Sequence, residues 1–272
     1  MPSPPPPLFD LSGLSRSPLE RDDVSDPGGR IYRDQAGDVY YSVTRILKET
    51  SNSKAALEAW AARLGEERAA QERDTAAERG TRTHNAAEYV LRTAKRLAET
   101  TAKRRNSFYV SREGLPCSPA PLTRWAIGQV LPSAPKVGFS ANGYKRSLLT
   151  WISEHITAIN AIEFSIHHPL GFAGTADCLG YVDGKGPLIL DWKTSFNRRS
   201  EELLTDYCDQ LGAYSMGLRH MVGLQARGAY IVVARRAGPP DIRQLSELEL
   251  RGAEVRFAER CAKYFDEAAA KL

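Results

Sequence analysis

The feature that most constrains how this chain can fold is an apolar run that ends in charged residues. Residues 187–190 read Pro-Leu-Ile-Leu, and Asp191, Trp192 and Lys193 follow them directly. Such a run is typical of a buried strand. Burying a carboxylate or an ammonium group is costly unless the charge is paired or bound to a metal. The pattern therefore predicts a strand whose last residues project into a polar site.

Two strand-like segments precede this run and determine what lies beside it. We predict strands at 161–167, 172–182 and 188–194, with a turn at 183–186 between the last two. Antiparallel pairing of the last two strands would bring Asp177 next to Asp191. Lys193 is two residues from Asp191, so the pleat of the strand points both side chains to one face. Two acids and a lysine are thus expected to meet at a strand end.

The rest of the pattern predicts the fold class. We expect a hairpin at 30–32 and 38–41, an N-cap at Ser42, helices between 53 and 96 with breaks at Gly65 and Gly80, helices at 122–131, 144–157, 203–218 and 246–270, and strands at 229–234 and 241–245. This order indicates an α/β protein with a central mixed β-sheet flanked by helices and a helical N-terminal part. Residues 1–29 are expected to form a disordered Pro-rich arm. Residues 30–272 then form a single domain with an irregular insertion at 104–142.

Composition narrows the class of protein. The chain has 272 residues and a formal net charge of +4. No apolar run reaches the roughly 20 residues that cross a bilayer, and the N-terminus lacks the features of a secretory signal, so we expect a soluble, cytoplasmic protein. Basic residues cluster at 95–96, 103–105, 198–199 and 235–236. These clusters permit phosphate contacts but are also common on an ordinary solvated surface.

The acids and the lysine suggest metal-assisted hydrolysis. Two adjacent carboxylates repel each other unless a cation lies between them. Mg²⁺ and Mn²⁺ prefer oxygen ligands and are often held by one or two carboxylates together with substrate phosphate. Lys193 could orient the attacking water or offset charge on a phosphate transition state. Taken alone, however, an Asp-x-Lys pattern on a strand is more often a surface ion pair.

Several further polar residues indicate a functional site only when they are considered together, because each alone has an ordinary structural explanation. Glu163 lies one strand upstream of Asp177 and could instead face solvent. His84 lies near the start of a predicted helix, where a histidine is more often a packed or surface residue than a ligand. Tyr207, Gln210, Leu211 and Tyr214 recur at helical spacing and could be an ordinary core stripe, although Gln210 within it requires a polar partner.

The order of these elements resembles a known family. Gly-Thr-Arg-Thr-His at 80–84, Glu163, Gly-Thr-Ala-Asp at 174–177, Asp-Trp-Lys at 191–193 and Gln-Leu-Gly-Ala-Tyr at 210–214 follow one another. This order resembles the PD-(D/E)XK nuclease superfamily, specifically its RecB-like exonuclease branch. Together with Tyr-Ser-Val-Thr-Arg-Ile-Leu at 41–47, it is most similar to the mitochondrial genome maintenance exonuclease and its bacterial and phage relatives. The resemblance implies a restriction-endonuclease-like core.

The resemblance also implies roles for individual residues. The metal ligands would be His84, Asp177, Asp191 and the backbone carbonyl of Trp192, with Glu163 assisting. Lys193 would be the catalytic lysine, and Gln210 and Tyr214 would position the scissile phosphate or brace Lys193. The nucleic-acid contacts would come from Ser42, Thr44, Arg45, Tyr207, Arg198 and Arg199.

The function implied is a metal-dependent DNA exonuclease that acts on single-stranded DNA, ends or flaps in replication, recombination or repair. Its cofactor would be Mg²⁺ or Mn²⁺, and Trp60, Tyr89 or Trp151 could stack on bases. We expect no iron–sulfur cluster. In some relatives four cysteines hold one, three of them close together near the C-terminus, whereas this sequence has only Cys261 there. The alternatives are a catalytically inactive nucleic-acid-binding module and a structure-specific endonuclease of the same fold.

Overall fold

The computed structural model describes residues 11, 14, 19–24, 26, 29–51, 54–104, 118, 120–196 and 201–270. Within these residues the strands are β1 (Glu20–Asp22), β2 (Ile31–Arg33), β3 (Val39–Ser42), β4 (Ile156–His168), β5 (Phe172–Val182), β6 (Lys185–Thr194), β7 (Gly228–Ala234) and β8 (Asp241–Ser246). The α-helices are α1 (Val43–Thr50), α2 (Lys54–Leu64), α3 (Glu66–Arg104), α4 (Ala120–Val130), α5 (Phe139–His155), α6 (Glu201–Val222) and α7 (Glu247–Ala269).

Strand β5 is the centre of the sheet because three strands, β3, β4 and β6, pair with it. β4 pairs antiparallel with β5 along nearly its whole length. The other edge of β5 is shared between two strands. β3 runs parallel to β5 at Phe172 and Ala173, whereas β6 runs antiparallel to β5 from Cys178 to Val182. The predicted central mixed sheet is confirmed, and it forks along this shared edge.

Helices cover both faces of the sheet, as the sequence predicted. One core lies between the sheet and α1, α6 and α7, and it includes Ile189 of β6 and Phe257 of α7. The other lies against α3, α4 and α5, and it includes Leu190 of β6 and Leu148 of α5. Ile189 and Leu190 serve opposite cores because successive strand side chains point to opposite faces. None of the helices in the described ranges is both long and apolar enough to cross a bilayer.

A tight hairpin fixes the register of β5 and β6. Asp183 and Gly184 have φ angles of +49° and +77°, the left-handed conformations that an Asp-Gly pair adopts readily in a two-residue hairpin turn. Val182 pairs with Lys185 across this turn. The predicted meander is therefore confirmed, and β4 begins earlier than predicted, at Ile156.

One predicted helix break is correct and the other is wrong. Gly65, with φ +87°, separates α2 from α3. Gly80, in contrast, lies inside α3, which runs unbroken for 39 residues. A glycine in a helix interior costs only about 1 kcal/mol, which is less than the packing of a helix face that buries Val90 and Leu91 in the second core. Tertiary packing thus overrides the local preference at Gly80.

The N-terminal segment departs from its prediction where the structure describes it. Glu20–Asp22 forms β1 and pairs with β2, and Leu11 and Leu14 are buried in the first core. The expectation of disorder is therefore wrong for these residues, because two leucines supply apolar area that the Pro-rich composition concealed. Residues 1–10, 12–13, 15–18, 25 and 27–28 lie outside the described residues, and the boundary between residues 29 and 30 stays a prediction.

The predicted insertion at 104–142 contributes to the second core. Its expected short helix is confirmed as α4, in which Ala126 and Ile127 are buried. Residues 105–117 and 119 lie outside the described residues. The Ser118 hydroxyl accepts hydrogen bonds from the Ile159 N–H at 2.9 Å and from the Thr123 hydroxyl at 2.7 Å. The described part of the insertion is thus tied to β4.

Gly212 allows α6 and α7 to pack closely. A Cβ atom at Gly212 would lie 2.5 Å from the carbonyl carbon of Ala253 and 2.6 Å from the backbone nitrogen of Glu254. We expect Gly212→Ala to lower the free energy of unfolding by about 1–3 kcal/mol, because the backbone of α7 must move away. The measurement is urea unfolding followed by circular dichroism.

Gly128→Ala is the matched control, because Gly128 is also helical but has no atom within 4 Å of an added Cβ. There the free energy of unfolding should be unchanged or higher by up to about 1 kcal/mol, from better helix propensity. Equal stabilities of the two variants would show that α6 and α7 are not in close contact at Gly212.

Candidate metal and catalytic site

The site lies where β5 and β6 separate. The last pair between these strands is Cys178 with Leu190, so Asp177 and Asp191 are the first residues beyond it. The N–H of Trp192 donates to Asp177 Oδ2 at 2.5 Å. A strand residue directs its N–H and C=O to the same side, so the carbonyl of Trp192 faces the fork as well. The carboxylate of Asp177 thus occupies the gap between the two strands.

Three potential metal ligands converge at this fork. The β4–β5 register, in which Ile162 pairs with Cys178 and Phe164 with Ala176, places Glu163 opposite Asp177. From the other side, His84 of α3 brings Nδ1 to 3.4 Å from Asp177 Oδ1. One ligand atom from each of His84, Glu163 and Asp177 lies within 4.8 Å of the others. Two carboxylates and an imidazole fit a divalent cation such as Mg²⁺ or Mn²⁺.

Glu163 adopts a backbone conformation that non-glycine residues avoid. Its φ angle is +46°, in the left-handed region, which is uncommon for a residue inside a strand. Such strain costs on the order of 1–3 kcal/mol and is characteristic of functional sites. It occurs at the residue whose carboxylate belongs to the candidate metal group. Periodicity in the sequence gives no sign of it.

Burial and mutual repulsion disturb the carboxyl groups of the site. Burial raises the pKa of Glu163 to about 7, helped by the charges of Asp177 and Glu88. Burial also raises the pKa of Asp191 to about 6, although Lys193 opposes the increase. Burial acts in the same direction on Asp177, but His84, Lys193 and the Trp192 N–H outweigh it and lower the pKa of Asp177. Ionising the three acids together is therefore costly below about pH 7, and a bound cation would lower that cost.

A second group of residues surrounds Asp191. Lys193 Nζ lies 2.5 Å from Asp191 Oδ2 and 5.0 Å from the centre of the Tyr207 ring. Gln210 Nε2 donates to Asp191 Oδ1 at 3.3 Å and to the Tyr214 hydroxyl at 2.6 Å. Asp191 is therefore a polar partner of Gln210, which the sequence analysis required. The face of α6 that carries Tyr207 and Gln210 lies against the end of β6.

Tyr214 has room only because its neighbour is a glycine. A Cβ atom at Gly174 would lie 2.8 Å from Tyr214 Cε1 and 3.3 Å from Val43 Cγ2. Any side chain at Gly174 would therefore displace Tyr214, which receives the hydrogen bond of Gln210. The Gly-Thr-Ala-Asp segment thus contributes the carboxylate of Asp177 and, at Gly174, the room that the Tyr214 ring occupies.

The predicted metal ligands are brought to one fork but fall into two groups. His84 and Asp177 lie together with Glu163, whereas the carboxylate of Asp191 contacts Lys193 and Gln210. Ligation by Asp191 and by the Trp192 carbonyl stays a prediction. Sequence order does not reveal this division, because it depends on which side of the fork each carboxylate faces.

The predicted nucleic-acid residues near β3 have contacts within the protein. Ser42 is buried and caps α1 by accepting the Arg45 N–H at 3.1 Å. The guanidinium of Arg45 lies 2.8 Å from Asp26 and over the ring of Tyr41, and the Thr44 hydroxyl lies 3.3 Å from that of Ser42. These contacts give Ser42, Thr44 and Arg45 structural roles within the protein. Their contact with nucleic acid stays a prediction. Arg198 and Arg199 lie outside the described residues.

Two charged residues beside the site were missed by the sequence analysis. Glu88 and Arg92 follow His84 on α3 at intervals of four residues, and Arg92 Nε lies 2.6 Å from Glu88 Oε1. Both act electrostatically on Glu163. Their spacing from His84, one and two helical turns, is the signal that could have identified them.

A mixed sheet carries three acids and a lysine at the fork between two strands, a helix adds an imidazole, and helices cover both faces of the sheet. The family model of the PD-(D/E)XK nuclease superfamily matches residues 42–272. The chain therefore belongs to the PD-(D/E)XK nuclease superfamily. A search among functionally curated proteins finds no match.

Two solved structures are similar to part of this chain. A candidate exonuclease from Eubacterium rectale is 12% identical with a TM-score of 0.30, over 53% of this chain and 63% of that chain. The protein SSO0001 is 17% identical with a TM-score of 0.29, over 66% of this chain and 74% of that chain. This chain thus spans less than two thirds of the length of the first. Similarity at this level carries no conclusion about function.

Replacing His84 tests the metal group directly. We expect His84→Ala to weaken Mn²⁺ binding by at least about tenfold, the loss typical even of residues that only support a ligand. The measurement is isothermal titration of chelator-treated protein with Mn²⁺. His155→Ala is the matched control, because His155 also contacts an aspartate, with Nδ1 3.0 Å from Asp183 Oδ2, beyond the opposite ends of β5 and β6. Equal affinities of the two variants would exclude His84 as a ligand.

The raised pKa of Glu163 predicts a pH dependence of stability in metal-free protein. The folded-state value of about 7 lies above the ordinary 4.5, so folding favours the protonated acid. Its contribution to stability is complete below about pH 4.5 and is lost as the pH rises through about 7. We expect the wild type to lose more stability than Glu163→Gln between about pH 5 and about pH 8.

Thermal unfolding in chelator at both pH values provides the measurement. Mn²⁺ should then stabilise the wild type more at the higher pH, because the ligand must release its proton before it binds a cation. A pH dependence identical in wild type and Glu163→Gln would contradict the assignment of this titration to Glu163.

Proposed function

We propose that this protein is a metal-dependent DNA exonuclease that hydrolyses phosphodiester bonds on single-stranded DNA, at ends or flaps, in replication, recombination or repair. The observation that carries the proposal is the convergence of His84, Glu163 and Asp177 within 4.8 Å, beside a lysine paired with Asp191. A group that only bound nucleic acid would not require buried carboxylates, because these repel phosphate. Their presence next to an ammonium group favours catalysis.

The cofactor we propose is Mg²⁺ or Mn²⁺, and no iron–sulfur cluster. PD-(D/E)XK nucleases generally use divalent metals. When bound, the ion supplies an activated water and charge neutralisation at the phosphate. His84, Glu163 and Asp177 would hold it, with Asp191 and the Trp192 carbonyl as further candidate ligands. The Trp192 N–H fixes the orientation of Asp177, so one carboxylate oxygen is already committed and the other faces His84.

Lys193 is held in a protonated state by its surroundings. Burial lowers the pKa of Lys193, but the carboxylates of Asp191 and Asp177 outweigh this effect and raise it. A protonated amine stabilises negative charge that develops on phosphate oxygens. We therefore assign Lys193 to charge stabilisation in the transition state. In this state it has no free electron pair with which to accept a proton from water.

Gln210 and Tyr214 act through Asp191 in this proposal. The amide of Gln210 links the Tyr214 hydroxyl to Asp191, and Asp191 in turn contacts Lys193. A chain of hydrogen bonds of this kind fixes the position of the terminal ammonium group. Tyr207 packs its ring against the same ammonium. These residues would therefore position Lys193 for the phosphate.

The order of the motifs supports a narrower assignment to the RecB-like branch and to relatives of the mitochondrial genome maintenance exonuclease. Members of one superfamily fold can differ in substrate. The choice between ends and internal sites therefore requires a direct assay. Single-stranded DNA with and without ends separates the two possibilities.

The test uses purified protein with Mg²⁺ or Mn²⁺ on end-labelled linear and covalently closed circular single-stranded DNA. We expect the linear DNA alone to be degraded. Lys193→Ala should lose at least about a hundredfold in rate, in the range for removal of one group that stabilises transition-state charge. Arg124→Ala, at the far end of the sheet near Asp183, is the control variant and should keep full activity.

Each other outcome of this assay would assign the protein to a different functional class or change the role of Lys193. Cutting of circular DNA would indicate a structure-specific endonuclease. Binding without degradation of either substrate would indicate an inactive nucleic-acid-binding module. Degradation by Lys193→Ala at the wild-type rate would remove the lysine from the mechanism.

A further inference from the structure

Two phenylalanines are exposed at the end of the sheet that carries the site. The side chain of Phe139 is 91% exposed and that of Phe196 is 62% exposed. Single exposed apolar residues are common on protein surfaces. Phe139 and Phe196 are of interest because they lie near the end of β6, the strand that carries Asp191 and Lys193.

Phe196 belongs to the chain that leaves the site. It follows Lys193 by three residues at the end of β6, and the Ser195 N–H between them donates to the Ala234 carbonyl of β7 at 3.1 Å. Gly80 of α3 approaches the same strand end, because a Cβ atom there would lie 3.7 Å from Thr194 Oγ1. The rim at Phe196 is thus formed by β6, β7 and the helix that bears His84.

Phe139 reaches the same rim from α5. Gly138, directly before it, lies against Arg82 of α3, where an added Cβ would be 2.6 Å from Arg82 Nη1. One turn later, Gly143 lies against the carbonyl of Arg236. Arg236 follows the end of β7, where Val233 pairs with Lys193. The start of α5 is thus fixed between the His84 helix and the end of the lysine strand.

Arginines accompany the phenylalanines on this rim. Arg236 is exposed, and Arg82 keeps 44% of its side chain exposed while it contacts Glu78. Arg79 places its guanidinium 4.7 Å from the centre of the Tyr144 ring. Exposed aromatic faces interleaved with arginines are the composition of surfaces that bind single-stranded nucleic acid, in which rings stack on bases and cations contact phosphates.

Two other aromatic residues, Trp151 and Trp125, are less suitable for base stacking, and the roles suggested for Trp60 and Tyr89 stay predictions. Trp151 is only 6% exposed and packs in the second core, so its predicted role in base stacking is wrong. Trp125 is exposed, but it adjoins Arg124, which lies 3.5 Å from Asp183 in the turn at the far end of β5 and β6. Trp125 therefore lies near the opposite ends of β5 and β6 from the site.

We propose that Phe139 and Phe196 stack on bases of single-stranded DNA and, with Arg82 and Arg236, guide the strand to the fork at Asp177. This assignment rests on the proposed nuclease function and specifies how that site selects its substrate. Duplex DNA keeps its bases stacked on one another and cannot offer them to side chains without unpairing. The aromatic rim therefore favours single strands.

The test measures binding without hydrolysis. Fluorescence anisotropy in chelator follows a labelled thymidine oligonucleotide of about 15 nucleotides, a length that covers a typical single-strand site, and an abasic oligonucleotide of equal length. We expect the wild type to bind the abasic strand roughly 5- to 100-fold more weakly, the range for loss of one stacked base. The Phe139→Ala/Phe196→Ala variant should bind both strands equally, at the level of wild type with the abasic strand.

Trp125→Ala is the matched control and should retain the wild-type preference. Phe139→Tyr/Phe196→Tyr should retain it as well, because a phenol ring also stacks. The proposal is overturned if the double alanine variant keeps the preference for normal bases, or if the wild type binds both strands equally.

The outcome is separable from that of the nuclease assay. Degradation of DNA by wild type, combined with an unaltered base preference in the double alanine variant, would refute the stacking role alone. If the wild type degrades no DNA but prefers normal bases, and the double alanine variant loses that preference, the nuclease function alone would be refuted.

Discussion

The hydrogen bond from the Trp192 N–H to Asp177 is the interaction on which the site depends. Where β5 leaves β6, the amide of Trp192 loses the strand carbonyl that would otherwise accept it. A buried donor without a partner costs roughly 1–3 kcal/mol, and the carboxylate of Asp177 supplies the acceptor at 2.5 Å. The same contact keeps the two strands in register beyond their last pair. A structural requirement of the fork thus holds a candidate metal ligand in place.

Charge is the second constraint, and it follows from the first. Asp177 is fixed in the fork with Glu163 opposite it and Asp191 beside it, while one lysine and one imidazole lie within contact distance. Three acids, two of them buried, outnumber these two groups and are difficult to ionise together, as the raised pKa values of Glu163 and Asp191 indicate. A divalent cation resolves it, since it favours the ionised form of every acid at once.

The sequence predicted the features that depend on local pattern and missed those that depend on tertiary packing. The Asp-Gly hairpin, the antiparallel meander of β4, β5 and β6 and the acids were recoverable because turn chemistry and period-two alternation are local. The continuity of α3 through Gly80 was not recoverable, because a buried helix face outweighs a single glycine. The left-handed conformation of Glu163 was equally hidden, since only the surrounding sheet makes it tolerable. The separation of Asp191 from the ligand group depends on the path of β5 after the fork.

The unbroken helix α3 has a consequence for how the site is built. Had Gly80 ended a helix, His84 would lie in the first turn of a new helix, positioned by a loop. Instead, the residues that follow it are anchored in the second core through Val90 and Leu91, and those that precede it approach Thr194 at the end of β6. His84 is therefore held from both sides by packed structure. Sites carried by rigid elements keep ligand geometry better than sites on loops, so the hydrophobic core itself sets the distance between the imidazole and Asp177.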